Sequence, residues 1–469
     1  MNRYKKLASD TFLMALGNFA SRTLVFFLLP LYTYVLTAEE YGIADLFTTT
    51  TSLLIPILTV AISESTFRYA FDVNLDQNKN LMCSFLILGS SIIFIIPVTY
   101  LLGLWNSVFW GYPYLFIFLF LSNAFNLCLV NYSRGTDHIR IFVWSGIIYT
   151  ITLTLLNILF LLFLSMGLVG YLVAAIAAFS ASSLYVFVSL KGWRVLKLQY
   201  IDFSLLKEML RYSTPMVFST TAWWVMNSID KYMLIDYFGL NISGLYGVAQ
   251  KIPTILTVIS SVFIQAWQIS AISVHGEKDS SEFYTNVYNV YETLLYIIAG
   301  ILIVSVKPLS SVLFQKEYYE AYVFTPFLIL SSIFACLSSF LQSSFIAAKR
   351  SDMLLYSTLL GALCNIIANI FLMVKFGPVG AAIATFIGFS ITWLLRYFSS
   401  LKYEKITKNW FTSAANILLL SSQAILITYN VKYNMIYACS LLCVLLLLNN
   451  KIVKSLSLII LKRLKNVSI

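Results

Sequence analysis

Arg22, Asp230, Lys231 and Lys251 stand inside long apolar runs of this 469-residue chain, and their charges are the groups best suited to chemistry. A charge at the centre of a bilayer costs at least about 2.5–3.5 kcal/mol, so it is kept for a reason and faces protein or water. Asp230 and Lys231 are sequence neighbours, and neighbours on a helix point in different directions, so they neutralise each other poorly. Arg22 is the simplest partner for Asp230. That pairing would help hold a cavity closed and leave Lys231 and Lys251 as net positive charge for an anionic substrate. The plainer alternative is an ion pair that only fixes helix packing.

Other polar residues fall into two groups. Glu64 and Arg68 are four apart at the inner end of the second run, an ordinary intrahelical pair or a contact at a cytoplasmic mouth. Asn365 and Asn369 share one face of the eleventh run, with Thr385 on the twelfth. Together with Asp230 they could form an oxygen cage for Na⁺. Hydrogen bonds between helices are the commoner use of such asparagines. Six cysteines lie in or beside apolar stretches without metal-ligand spacing, so neither a disulfide nor a metal is expected. His138 and His275 fall in polar connections and read as loop residues.

The elements that position these groups follow from composition. Of the chain, 59% is hydrophobic and 11% charged, less than half the roughly 25% charge of a soluble domain. An all-α polytopic membrane protein is therefore expected. Runs of about 20 apolar residues are needed per span, and counting them gives about fourteen helices. These include 11–36, 43–63, 213–238, 244–270, 355–375, 378–399, 411–430 and 432–449. The first run continues to about Leu36 with no small-residue cleavage site, so it reads as a spanning helix and not a signal peptide.

Basic residues set the orientation. Arg68, Lys79, Arg134, Arg140, the Lys191–Arg211 cluster, Lys278, Lys349, Arg350, the Arg396–Lys408 cluster and both tails fall on one side. Only Lys307, Lys316, Lys375 and Lys432 fall on the other, so both termini are expected in the cytoplasm. The net charge of +11 is spread over these short connections, which argues against a nucleic-acid partner. No outer connection is long enough to fold as a catalytic domain, and no enzyme or cofactor is expected. The tail 450–469 reads as a basic amphipathic helix lying on the inner leaflet.

The chain also repeats itself. Tyr41-Gly42-Ile43-Ala44-Asp45 recurs as Tyr246-Gly247-Val248-Ala249-Gln250, and Gly167-Leu168-Val169-Gly170 recurs as Gly377-Pro378-Val379-Gly380. Equivalent helices are six apart, so the copies enter the membrane from the same side. The expected architecture is two pseudo-symmetric six-helix lobes, 1–200 and 201–405, then a helical hairpin, 406–449. Two lobes around a central axis suit alternating access.

Gly17-Asn18, the Leu36-to-Gly42 connection and Ile62-Ser63-Glu64-Ser65-Thr66-Phe67-Arg68-Tyr69, with 36 Phe and 30 Tyr, carry a resemblance. The sequence resembles bacterial polysaccharide repeat-unit flippases of the O-antigen or capsule type, in the oligosaccharidyl-lipid/polysaccharide exporter (MOP) superfamily. The resemblance implies a multi-pass protein of the bacterial cytoplasmic membrane. It further implies export of undecaprenyl-diphosphate-linked oligosaccharide from the inner to the outer leaflet, with a polysaccharide polymerase and other assembly proteins as partners. Arg22, Lys231 and Lys251 would then meet the diphosphate. Related lipid II flippases hold sodium with an Asp, an Asn, an acid and a Thr, which Asp230, Asn365 and Thr385 resemble. Asn369 stands where the acid would be, a departure that removes one charge from the cage and weakens the case for ion coupling, for which Na⁺ and H⁺ are the candidate ions. The competing functions are a multidrug exporter of the same superfamily and a membrane polymerase or glycosyltransferase. The latter usually needs a sizeable outer loop with catalytic residues, and only Glu317 and Glu320 stand nearby.

Overall fold

Hydrocarbon offers backbone groups no hydrogen bonds, so a chain this apolar satisfies them within helices. The computed structural model describes residues 28–72, 75–274, 280–347 and 351–450, and no strand occurs among them. The helices are α1 (Leu29–Val35), α2 (Ala38–Leu58), α3 (Ile62–Tyr69), α4 (Gln77–Trp105), α5 (Pro113–Gly135), α6 (Ile139–Asn157) and α7 (Gly167–Ser189). They continue as α8 (Phe203–Ala249), α9 (Thr254–Val274), α10 (Ser280–Leu313), α11 (Thr325–Ala347) and α12 (Ser351–Phe376). Last come α13 (Val379–Ser400), α14 (Trp410–Thr428) and α15 (Asn434–Leu448).

Ten of the described helices are long and apolar enough to cross a membrane, and α8 with the start of α9, bent by 46°, makes an eleventh. The difference from about fourteen has three causes. The first run is described only from residue 28, the seventh and eighth form the bent pair, and α15 has only 15 residues. Positions 451–469 of the expected amphipathic tail lie outside the described residues.

Contacts divide the chain into two compact units, Met1–Gly244 and Leu245–Ile469. The core of unit 1 is built on Phe47, Phe109, Phe116 and Phe120, which are fully buried. In unit 2, α11 is the most enclosed span, and it packs against α13.

Two breaks matter for the site. The second expected run is not one helix, because α2 ends at Leu58 and α3 begins at Ile62. Between them Val60 and Ala61 both take φ of 49°, a left-handed conformation that is a genuine outlier for a β-branched residue. Pro56, inside α2, lacks the N–H that a continuous helix would use. In α8, Gly239 interrupts the helix with φ 85° and ψ 173°, a backbone state that costs glycine least.

Candidate functional site

The start of α2 is fixed by a reciprocal cap. The Thr37 hydroxyl accepts from the Glu40 backbone N–H at 3.2 Å, and Glu40 Oε2 accepts from the Thr37 N–H at 2.9 Å. This cap carries Asp45 two turns into the helix. There Asp45 Oδ2 lies 2.7 Å from Lys231 Nζ on α8, and both side chains are only 10% exposed. The contact is ionic and not a directed hydrogen bond.

A polar and aromatic frame holds the pair. Tyr232, next along α8, shares a 2.6 Å hydrogen bond with Thr50, and its ring stacks on Trp105 at 5.4 Å. The Trp105 indole donates to Asp236 at 3.0 Å, and the Trp224 indole donates to the Thr49 carbonyl at 3.0 Å. The phenols of Tyr41, Tyr171 and Tyr232 lie close enough to interact electrostatically with Asp45. Nearby the backbones nearly touch. A Cβ at Gly42 would collide with the Leu240 carbonyl, and one at Gly244 with the Ala38 carbonyl. Glycine is what allows α2 and the last turns of α8 to approach.

Asp45 is the residue that the sequence reading missed. The repeat does bring it into view, since Gln250 stands in its place in the second copy, but its position at the mouth of an apolar run makes it look like a boundary residue. Asp230 accepts a hydrogen bond from the Lys231 backbone N–H at 3.1 Å and is almost fully buried. Arg22 lies outside the described residues. Lys251 sits in unit 2, half-buried in the connection that bends α8 against α9.

Glu64 and Arg68 do not form the intrahelical pair expected of them. Arg68 is exposed at the end of α3, and the charged group that acts on Glu64 is Arg134 of α5. The break at Val60–Ala61 turns Glu64 instead toward a cavity of about 250 Å³, shared with Ser52, Ser63, Asn123 and Thr220.

Asn365, Asn369 and Thr385 are all buried in unit 2. The Asn369 amide donates to Asn365 Oδ1 at 3.1 Å and to its carbonyl at 3.0 Å, while Thr385 donates to the Ala381 carbonyl at 3.0 Å. Asn369 Oδ1 has no hydrogen-bond partner among the described residues. One orphan oxygen is a partial fit to a cation site that needs several hard oxygen ligands. Asp230, the anionic member of the expected set, belongs to unit 1.

Further buried charges occur among the described residues of unit 2. Arg396 donates to Ser357 at 3.1 Å, Thr358 at 3.0 Å and the Ser338 carbonyl at 3.0 Å, so its described partners are all neutral. Lys408 is bound to Glu292, which also accepts from Ser413 at 2.9 Å and Tyr296 at 3.0 Å. The Lys408 ammonium lies 4.2 Å from the Trp393 ring centroid and 4.9 Å from that of Trp410. No cluster of three metal-ligating side chains occurs among the described residues.

Residues 7–269 match the family described as Polysaccharide biosynthesis protein. Over 422 residues the chain is 22% identical to an uncharacterized membrane protein of Methanocaldococcus jannaschii, covering 85% of this chain and 99% of that protein. Among solved structures, the lipid II flippase MurJ in an inward closed conformation superposes with a TM-score of 0.64 at 15% identity. That match covers 94% of this chain and 100% of the other. An inward-facing multidrug resistance transporter of the MATE family, in the MOP superfamily, gives a TM-score of 0.65 at 15% identity over 86% and 96% of the two chains. At such identities the likeness carries the fold alone.

Proposed function

Because the chain belongs to the polysaccharide biosynthesis protein family, we propose that it is a flippase that exports undecaprenyl-diphosphate-linked oligosaccharides by alternating access. Its place is the bacterial cytoplasmic membrane, with both termini in the cytoplasm and polysaccharide-assembly enzymes such as a polymerase as partners. The observation that carries this is the buried Lys231, a cation inside a spanning helix. In a low-dielectric site an ammonium attracts a phosphate far more strongly than in water. A diphosphate therefore competes well against the single carboxylate of Asp45.

In this scheme Arg22, Lys231 and Lys251 receive the diphosphate, the sugar occupies a wet cavity and the lipid tail stays in the bilayer. Loading transfers Lys231 from Asp45 to the substrate and loosens the tie between α2 and α8. The hinge at Gly239 gives the end of α8 room to move. Coupling to Na⁺ or H⁺ draws on two acceptors, Asn369 Oδ1 and the Glu64 carboxylate in its cavity. Asp230, Asn365 and Thr385 complete the Na⁺ version of this coupling.

Multidrug export is the rival, favoured by the fold shared with a MATE transporter. Deleting the gene separates the two. Intact lipid-linked repeat units accumulating on the inner leaflet, with surface polysaccharide lost, are expected of the flippase. Drug sensitivity with normal polysaccharide supports the exporter, and truncated repeat units point to an enzyme.

A further inference from the structure

At one end of unit 2, the first turns of α10, the start of α14 and the end of α15 enclose a cavity of about 530 Å³. For a site among apolar helices its lining is unusually polar, with Asn289, Thr293, Thr412, Ser413, Asn416 and Asn449 all contributing. Burying polar groups is costly unless they are satisfied. Here Asn416 and Asn449 exchange amide hydrogen bonds at 2.9 and 3.3 Å, and Asn289 donates to the Thr407 carbonyl at 3.4 Å. Thr293, only 6% exposed, places its hydroxyl in the lining. Glu292 at the base is already neutralised by Lys408, so the chamber presents hydroxyls and amides without net charge.

The surroundings grade from apolar to basic. Leu447 and Leu448 of α15 border the cavity and are 71% and 49% exposed. Exposed Asn450 follows. On the facing side the segment before α14 lies along α10, where the Lys405 N–H donates to Ser281 at 3.2 Å and the Thr407 N–H to Thr285 at 3.1 Å. Lys402 and Lys405 are exposed there.

We propose that this chamber binds an anionic membrane phospholipid with a hydroxyl-bearing headgroup. Its acyl chains would lie on Leu447 and Leu448, its phosphate would face Lys402 and Lys405, and its glycerol hydroxyls would enter among Thr293, Asn416 and Asn449. An amine-bearing headgroup fits worse. It would bring a cation into basic surroundings, and the one carboxylate in the lining already holds Lys408. This inference is independent of what the chain transports.

The full-length protein, purified from vesicles of equal phosphatidylglycerol and phosphatidylethanolamine, tests it by native mass spectrometry. One phosphatidylglycerol per chain should be retained in clear preference to phosphatidylethanolamine. Thr293→Val should reduce that retention about fivefold, the worth of one hydrogen bond, with an unchanged melting temperature. Lys405→Glu, on the exposed segment before α14, should also reduce it. Equal retention of the two lipids overturns the proposal. So does a preference that survives both substitutions, or displacement of phosphatidylglycerol by a lipid-linked sugar diphosphate.

Discussion

Lys231→Met is expected to abolish polysaccharide export and to destabilise the protein by about 3–5 kcal/mol, because it strands Asp45 in a buried site without its counter-charge. Asp45→Asn strands Lys231 and should cost a similar amount. The double variant Asp45→Asn/Lys231→Met removes both charges at once. Replacing a buried ion pair with uncharged groups is often neutral or even stabilising, so most of the lost stability should return. Export should not return, because the diphosphate has lost its cation. Melting temperature and surface polysaccharide, measured on the same four proteins, separate the two effects. Recovery of export in the double variant would reduce the pair to a packing device.

The second large effect concerns unit 2. Glu292→Gln leaves Lys408, whose side chain has no exposed surface, enclosed by Trp393 and Trp410 without a carboxylate. A loss of about 3–5 kcal/mol is expected. Burial pushes the Lys408 pKa down from 10.5, and Glu292 opposes that shift in the native protein. Without Glu292 the folded state holds the proton still less well than the unfolded chain. Stability of the variant must therefore rise as pH is raised toward 10.5, because the unfolded state binds more protons over that window. Thermal melts of Glu292→Gln across alkaline pH should show the deficit shrinking. A deficit that stays constant or grows with pH would contradict this.

Much of the helical plan can be read directly from the sequence because it depends on run length. An apolar stretch long enough to span has few alternatives to a helix. The apparent gap between 213–238 and 244–270 falls where Gly239 breaks α8, so even that boundary left a mark. The break at Val60–Ala61 was not legible. Neither residue type favours a positive φ, and only surrounding structure can impose one.

Charge pairing was the harder part. Lys231 was recognisable as a buried cation, but its partner lies far away in sequence, and spacing says nothing about such contacts. Asp45 and Glu292 share one signal, a carboxylate just inside the start of an apolar run. Each proves to be the counter-ion of a buried lysine. Lys408 was hidden because it lies in a basic connection, where a solvated side chain is the ordinary expectation.

Transport through Lys231 can be measured without a cell. The purified protein is placed in vesicles with a lipid-linked diphosphate sugar, and its transfer between leaflets is followed by access of an added glycosidase. The native protein should speed transfer well above protein-free vesicles, whereas Asp45→Asn/Lys231→Met, folded to the same extent, should fall to the protein-free rate. Transfer by that double variant at the native rate would show that the buried lysine does not handle the cargo.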